Sequence, residues 1–347
     1  MAHDRRRFLR DTGLLGTSGA LGVLAAGSRQ AAAAAPATVQ RAAAAPSLQG
    51  PYLDLRSGAG NALAMTRLVG SLDPAAVKYG WYSGRLMSVV PGSAARDLIG
   101  VIGLGAARTL PQDAQGRWQV LRRECGFFFD LASGEVLDRW RNPFTDEDVE
   151  VVHIANDPVN QTISPVRAGE QLYEQAVTQK APEPFVLPWQ QAGRRAFVEF
   201  HSHLWAKNPL DPAVWVRESA GPMVQISDMM TYGCELAELQ DASLPSVEYS
   251  GNWVHVRPWQ PWMLMGSAPG HLLYHCFTGS ATRLEDVPPQ IARIVERRLP
   301  AFLQPPEKPG RSEGSLTRYM RTRKPAPPRV PPGAPGAAPA AMPDPTR

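Results

Sequence analysis

Between residues 81 and 278, short apolar or β-branched runs alternate with turn signals, the pattern of antiparallel strands joined by hairpins. Residues 81–90 run into Pro91-Gly92, 118–130 into Ala132-Ser133-Gly134, 135–140 into Asn142-Pro143, and 149–155 into Asn156-Asp157-Pro158. The same texture returns at 196–205, 223–239, 252–256 and 271–278. Eight or more strands on such a path remove their exposed edges by curling up or stacking. The expected fold is therefore mainly β, an antiparallel meander closing into a barrel-like or sandwich domain with one or a few peripheral helices. One helix is explicit: Asp286 can cap it, Pro288 fits its first turn, and Ile291, Ile294, Val295 and Leu299 fall at helical spacing before Pro300. It is expected to pack on the barrel as a lid or plug.

The ends of the chain differ from this body. Asp4-Arg5-Arg6-Arg7-Phe8-Leu9-Arg10 resembles a twin-arginine export signal, followed by a weakly apolar stretch from Gly13 to Gly27. That stretch is too short and too diluted by Gly, Ser and Thr to cross a hydrocarbon core of about 30 Å, so it reads as the middle of a signal peptide and not as a stable membrane anchor. Small residues then offer A-x-A cleavage frames such as Ala35-Pro36-Ala37. The resemblance implies the twin-arginine translocation machinery as a partner, passage in the folded state and a periplasmic or secreted location. Three parts are expected: a signal peptide with its Ala-rich cleavage region at 1–45, one β-rich domain at 46–304, and a disordered, Pro-rich basic tail at 305–347.

The chain carries 36 Lys/Arg against 32 Asp/Glu, but the excess sits in the two ends, and 46–304 holds 22 basic and 27 acidic residues. A nucleic-acid surface is not implied. Cys125, Cys234 and Cys276 are widely spaced and odd in number, which argues for buried free thiols and against a thiolate metal site.

Candidate chemistry lies in four places. On a strand, Glu199, His201 and His203 share one face, and an H-x-H pair can bind a divalent metal if a third ligand is near; a solvent-facing polar side is the plain alternative. His153 beside an Asn156-Asp157-Pro158 turn suggests a general acid/base pair with Asp157 orienting the imidazole, although Asn-Asp-Pro is a turn signal in itself. Arg257, Trp259 and Trp262, with Trp253, Met263 and Met265, suit an apolar ligand pocket in a barrel mouth, or plain core. His271 and His275 are too far apart on a strand to ligate jointly. No nucleophile elbow, P-loop or dinucleotide fingerprint occurs.

Arg123-Glu124, Phe127-Phe128-Phe129-Asp130, Ser133-Gly134-Glu135, Trp140-Arg141-Asn142-Pro143 and the string from Val151 to Asn160 resemble an uncharacterised family, domain of unknown function 1838. The segment from Trp259 to Gly266 is similar to its later part. The resemblance implies membership and carries no activity. Two functional expectations follow from the residues: an exported enzyme acting on a small, partly apolar molecule through His/Asp or metal chemistry, or a non-catalytic ligand-binding barrel.

The leader yields the first prediction. Residues 1–45 fused to a reporter that matures only when folded in the cytoplasm should carry it across the membrane, and Arg5→Lys with Arg6→Lys should abolish transport. Unchanged transport in the double variant would refute the signal.

Overall fold

Alternation of inward and outward side chains builds nine strands into one antiparallel sheet. The computed structural model describes residues 47–167, 170–172, 176–178 and 182–329; the expected leader at 1–45 and the final part of the expected tail, 330–347, lie outside them. The strands are β1 (Lys78–Val89), β2 (Arg96–Thr109), β3 (Trp118–Phe129), β4 (Ile154–Ile163), β5 (Gln190–Ala192), β6 (Arg195–Lys207), β7 (Met223–Glu235), β8 (Ser250–Arg257) and β9 (His271–Ala281). Their spatial order is β5-β6-β7-β8-β9-β1-β2-β3-β4, a meander cut at β4/β5 and rejoined by pairing of β1 with β9. The sheet curls into a half-barrel and stays open, with β4 and β5 as its edges.

Registry assigns the faces. Tyr82 lies opposite Thr278 and Gly103, Gly103 opposite Gly126, and Thr278 opposite Gly251, so these residues share the inner face. One end of that face is plugged by helix α1 (Gly58–Val69), capped by the Ser57 hydroxyl, with Ala62, Ala64 and Leu68 packed against Val198, Cys234 and Ala107. The buried Arg67 of α1 donates to the carbonyls of Leu239, Glu238, Asp241 and Leu244, which ties the short helix α2 (Leu236–Leu239) and the loop after it to the plug. The other end is filled by Trp140, Trp215, Trp259, Trp262 and Met263 around Phe128 and Leu86. Helix α3 (Pro289–Arg298) puts Ile291 and Val295 on the outer face, against Leu104, Cys125 and Phe127. The expected helix is present, but it backs the sheet from outside; its single apolar stripe covers the apolar outer face of β2 and β3.

Three other expectations need correction. Asn156-Asp157-Pro158 does not end a strand: it lies inside β4, where an edge position tolerates a proline without an N–H. Of residues 135–140 only the last two are in a strand, the short Arg139–Arg141, paired with Asp148–Glu150. Order also does not stop at Gln304, because residues 305–329 are folded and include helix α4 (Ser315–Thr322). This segment covers the open edge: Asp157 N–H donates to the Glu313 carbonyl (3.1 Å), Glu313 N–H to the Pro158 carbonyl (3.2 Å), and Ala155 N–H to the Ser315 hydroxyl (3.1 Å). Tyr319 packs on Trp215, Arg323 pairs with Glu150, and the Ala326 N–H donates to Glu218. A proline-rich composition does not preclude order where a neighbouring strand leaves backbone groups unpaired.

Truncation after Gln304 is therefore expected to cost about 3 kcal/mol or more, the scale for emptying a buried aromatic site. Urea denaturation checks this; an unchanged midpoint would mean that α4 adds nothing to the fold.

Candidate functional site

Midway along the inner face, between the two plugs, the strands carry glycines where large side chains would otherwise fill the barrel. The Tyr82 ring lies across Gly103 and Gly126: a Cβ on Gly103 would sit 2.1 Å from the ring, and one on Gly126 2.2 Å from the hydroxyl. Gly80 has open space before it, with the Tyr249 hydroxyl 3.5 Å from where its Cβ would be. Glycine inside a strand marks close approach by another group, here a cross-strand ring and an internal space. That space is a partly open cavity of about 90 Å³ lined by Lys78, Tyr82, Arg122, Glu124, Met230, Tyr232, Tyr249 and Trp253, among others.

Its polar groups are unevenly satisfied. The buried Tyr82 hydroxyl has no hydrogen-bond partner among the described residues. Burial pushes the Tyr82, Tyr232 and Tyr249 phenols above their ordinary range, so all three stay protonated. Glu124 accepts from Asn156 Nδ2 at 3.3 Å. Lys78 is 1% exposed; its Nζ donates to the Val247 carbonyl at 2.9 Å, and burial lowers its pKa to about 8. Arg122 is half-buried, its stem runs over Gly105, and it makes neither a hydrogen bond nor an ion pair among the described residues.

A buried carboxylate fixes the cavity's tryptophan wall. Asp228 of β7 faces His255 of β8, and its Oδ1 accepts from Trp253 Nε1 (2.8 Å) and binds His255 Nδ1 (2.7 Å). Burial alone would raise the Asp228 pKa; the bonds from His255 and Trp253 outweigh it and hold the carboxyl below its ordinary value. The arrangement keeps the indole of Trp253 edge-on to Tyr82, with ring centres 5.0 Å apart.

The residues singled out in the sequence fall elsewhere. Glu199, His201 and His203 are all exposed on the outer face of β6, beside Trp205. His201 Nε2 is 3.7 Å from Glu199, and His203 Nδ1 meets the Ser227 hydroxyl at 2.9 Å. Among the described residues no three His, Cys, Asp or Glu side chains are grouped to hold a metal. Val198 and Phe200 alternate with these residues and pack toward the interior, which sends the polar set outward. His153 and Asp157 are not paired. Asp157 is held by Arg123 at 2.9 Å, whereas the His153 ring lies against Phe127 and Phe128 and accepts the Phe128 N–H at Nδ1 (3.2 Å). Burial, helped by the positive charge of Arg298, lowers the His153 pKa to about 4. Trp259 and Trp262 are core, at 4% and 3% exposure, and Arg257 Nε is buried without a hydrogen-bond partner among the described residues. Of that aromatic group only Trp253 reaches the cavity. The three cysteines are free and buried.

Residues 76–323 match the family model described as "Protein of unknown function (DUF1838)". The chain belongs to this family. No curated protein matches the sequence. The DUF1838 match begins just before β1 and ends just after α4, so the half-barrel, its cavity-lining strands and the C-terminal cover of β4 all lie inside it, whereas α1 lies outside.

Lys78, Tyr82, Arg122 and Glu124 escaped the sequence reading. The signal available was spacing: Gly80 flanked by Lys78 and Tyr82, Gly103 followed by Gly105, and Arg122 two before Glu124 each put small and polar groups on one strand face.

His153 supplies a pH test. Its folded pKa lies below that of the unfolded chain, so between pH 6.5 and about 4 the unfolded state binds the additional proton. Its contribution is present above pH 6.5 and lost as pH falls through that window, by on the order of 3 kcal/mol. Urea titrations should show His153→Leu with a shallower loss than wild type over this range; identical slopes would place His153 in water.

Proposed function

We propose that the half-barrel binds a small organic carboxylate in its central cavity, without a metal. The observation that carries the reading is Arg122, a half-buried guanidinium facing a cavity and bonded to no acceptor among the described residues. Its neighbours strengthen it. Two cations, Lys78 and Arg122, line the space against one carboxylate, Glu124, so an anion restores the balance that a low-dielectric interior demands. Tyr82, Tyr232, Tyr249 and Trp253 add aromatic walls, and protonated phenols are donors to a carboxylate oxygen. The geometry favours binding over the two catalytic arrangements expected from sequence, since His153 is separated from Asp157 and the Glu199/His201/His203 set faces outward. Export through the twin-arginine route remains part of this proposal and is supported by Arg5, Arg6, Phe8 and Leu9.

Acetate, propionate and benzoate should raise the melting temperature while the matching amides leave it unchanged, because ligands that bind only the native state stabilise it. Arg122→Met should remove the carboxylate preference. Gly80→Leu should fill the cavity and remove the response altogether. Shifts that survive both substitutions would sink the reading.

A further inference from the structure

Lys78 has surroundings that a structural lysine does not require. Its side chain enters the cavity wall from β1, beside Leu68 and Val69 of α1 and near Tyr249 and Ser280. No carboxylate lies within ion-pairing distance of it among the described residues, and its Nζ is held by a single backbone carbonyl, that of Val247. A primary amine has three donor positions as the ammonium ion, and one bond leaves most of that capacity unused. The same cavity is lined by Arg122, which has no hydrogen-bond or ion-pair partner among the described residues. An amine nucleophile and a carboxylate anchor in one small space, with no metal-ligating cluster among the described residues, match a molecule carrying both a carbonyl and a carboxylate.

We infer that Lys78 forms an imine with a small oxo acid whose carboxylate is held by Arg122. The neutral amine adds to the carbonyl carbon; both amine hydrogens and the carbonyl oxygen then leave as water as the C=N bond forms. No oxidant, reductant or further reactant is needed. The inference rests on the carboxylate-binding reading and adds a covalent step to it. Burial supports the step, since a lysine pKa near 8 leaves roughly three-hundred-fold more free amine at pH 7 than a solvated side chain has.

The chain contains only five lysines, Lys78, Lys180, Lys207, Lys308 and Lys324, which makes reductive trapping readable site by site. The full chain at pH 7 is incubated with pyruvate, acetoacetate or levulinate and cyanoborohydride, then digested and each lysine peptide quantified by mass spectrometry. The expected result is near-complete modification of Lys78 by at least one of the three, with the other lysines labelled at least about ten-fold less. Butanone, which has the carbonyl without the carboxylate, should label Lys78 about ten-fold more slowly, and Arg122→Met should erase that difference. Lys78→Met should leave no dominant site. Gly80→Leu, which keeps the lysine, should block its labelling. Lys78 labelled no faster than the other lysines, while carboxylates still stabilise the protein through Arg122, would overturn the imine and leave the binding reading standing. Equal labelling of Lys78 by butanone and pyruvate, unaffected by Arg122→Met, would overturn the oxo-acid assignment together with the carboxylate anchor.

Discussion

The pairing of β1 with β9, from Tyr79 opposite Ala281 to Val89 opposite His271, holds the molecule together. Without that ladder there are two smaller sheets, β2–β4 with β1 and β5–β8 with β9, each exposing an edge and half of an apolar face. Joined, they form a curved surface on which β1 brings Lys78 and Tyr82 between Arg122 and Glu124 on one side and Met230, Tyr232 and Trp253 on the other. Arg122 and Glu124 stand roughly 45 positions from Lys78 along the chain, and Met230, Tyr232 and Trp253 roughly 150 to 175. Contacts this far apart in sequence form only after most of the chain is in place, and no local segment carries the site.

A curled sheet has to fill its inner face, and this chain does so at both ends and leaves the middle short of volume. Helix α1 and the tryptophan cluster supply ordinary apolar packing. Between them, glycines on four strands withdraw side chains, and the space goes to a tyrosine ring, a guanidinium and an ammonium. Such groups carry desolvation costs that a hydrophobic filling would not. Their retention in a region with few compensating bonds, most clearly Tyr82 and Arg122, is what distinguishes this space from the packed core on either side. The Asp228–His255–Trp253 network has its bonds made and acts as a rigid wall.

Legibility in the sequence followed burial. Strands with one covered face, such as β6 and β9, alternate cleanly and were readable; β2 and α1 were not. Both are buried nearly all round, β2 between Tyr82 and α3, α1 inside the barrel, and burial on every side erases the period that identifies an element. The site was obscured for a related reason. Histidines and tryptophans draw attention by type, yet His201 and His203 are surface residues and Trp259 and Trp262 are core. The residues that line the cavity are unremarkable one by one, and only the registers across β8-β9-β1-β2-β3, set by long-range pairing, bring them together. The order of residues 305–329 was hidden by composition, because a proline-rich segment gains its partners from an edge that sequence alone does not reveal.

That edge cover has a consequence in time. Ribosomes deliver β4 about 150 residues before Ser312, Glu313 and Ser315, the groups that pair with its outer backbone. Throughout that interval the strand offers unpaired N–H and C=O groups to any neighbouring chain, and the protection arrives only once Ser312 to Ser315 are made. A molecule that ends between Ala281 and Ser312 is therefore a different object from the finished one: it has every strand of the half-barrel and an adhesive border.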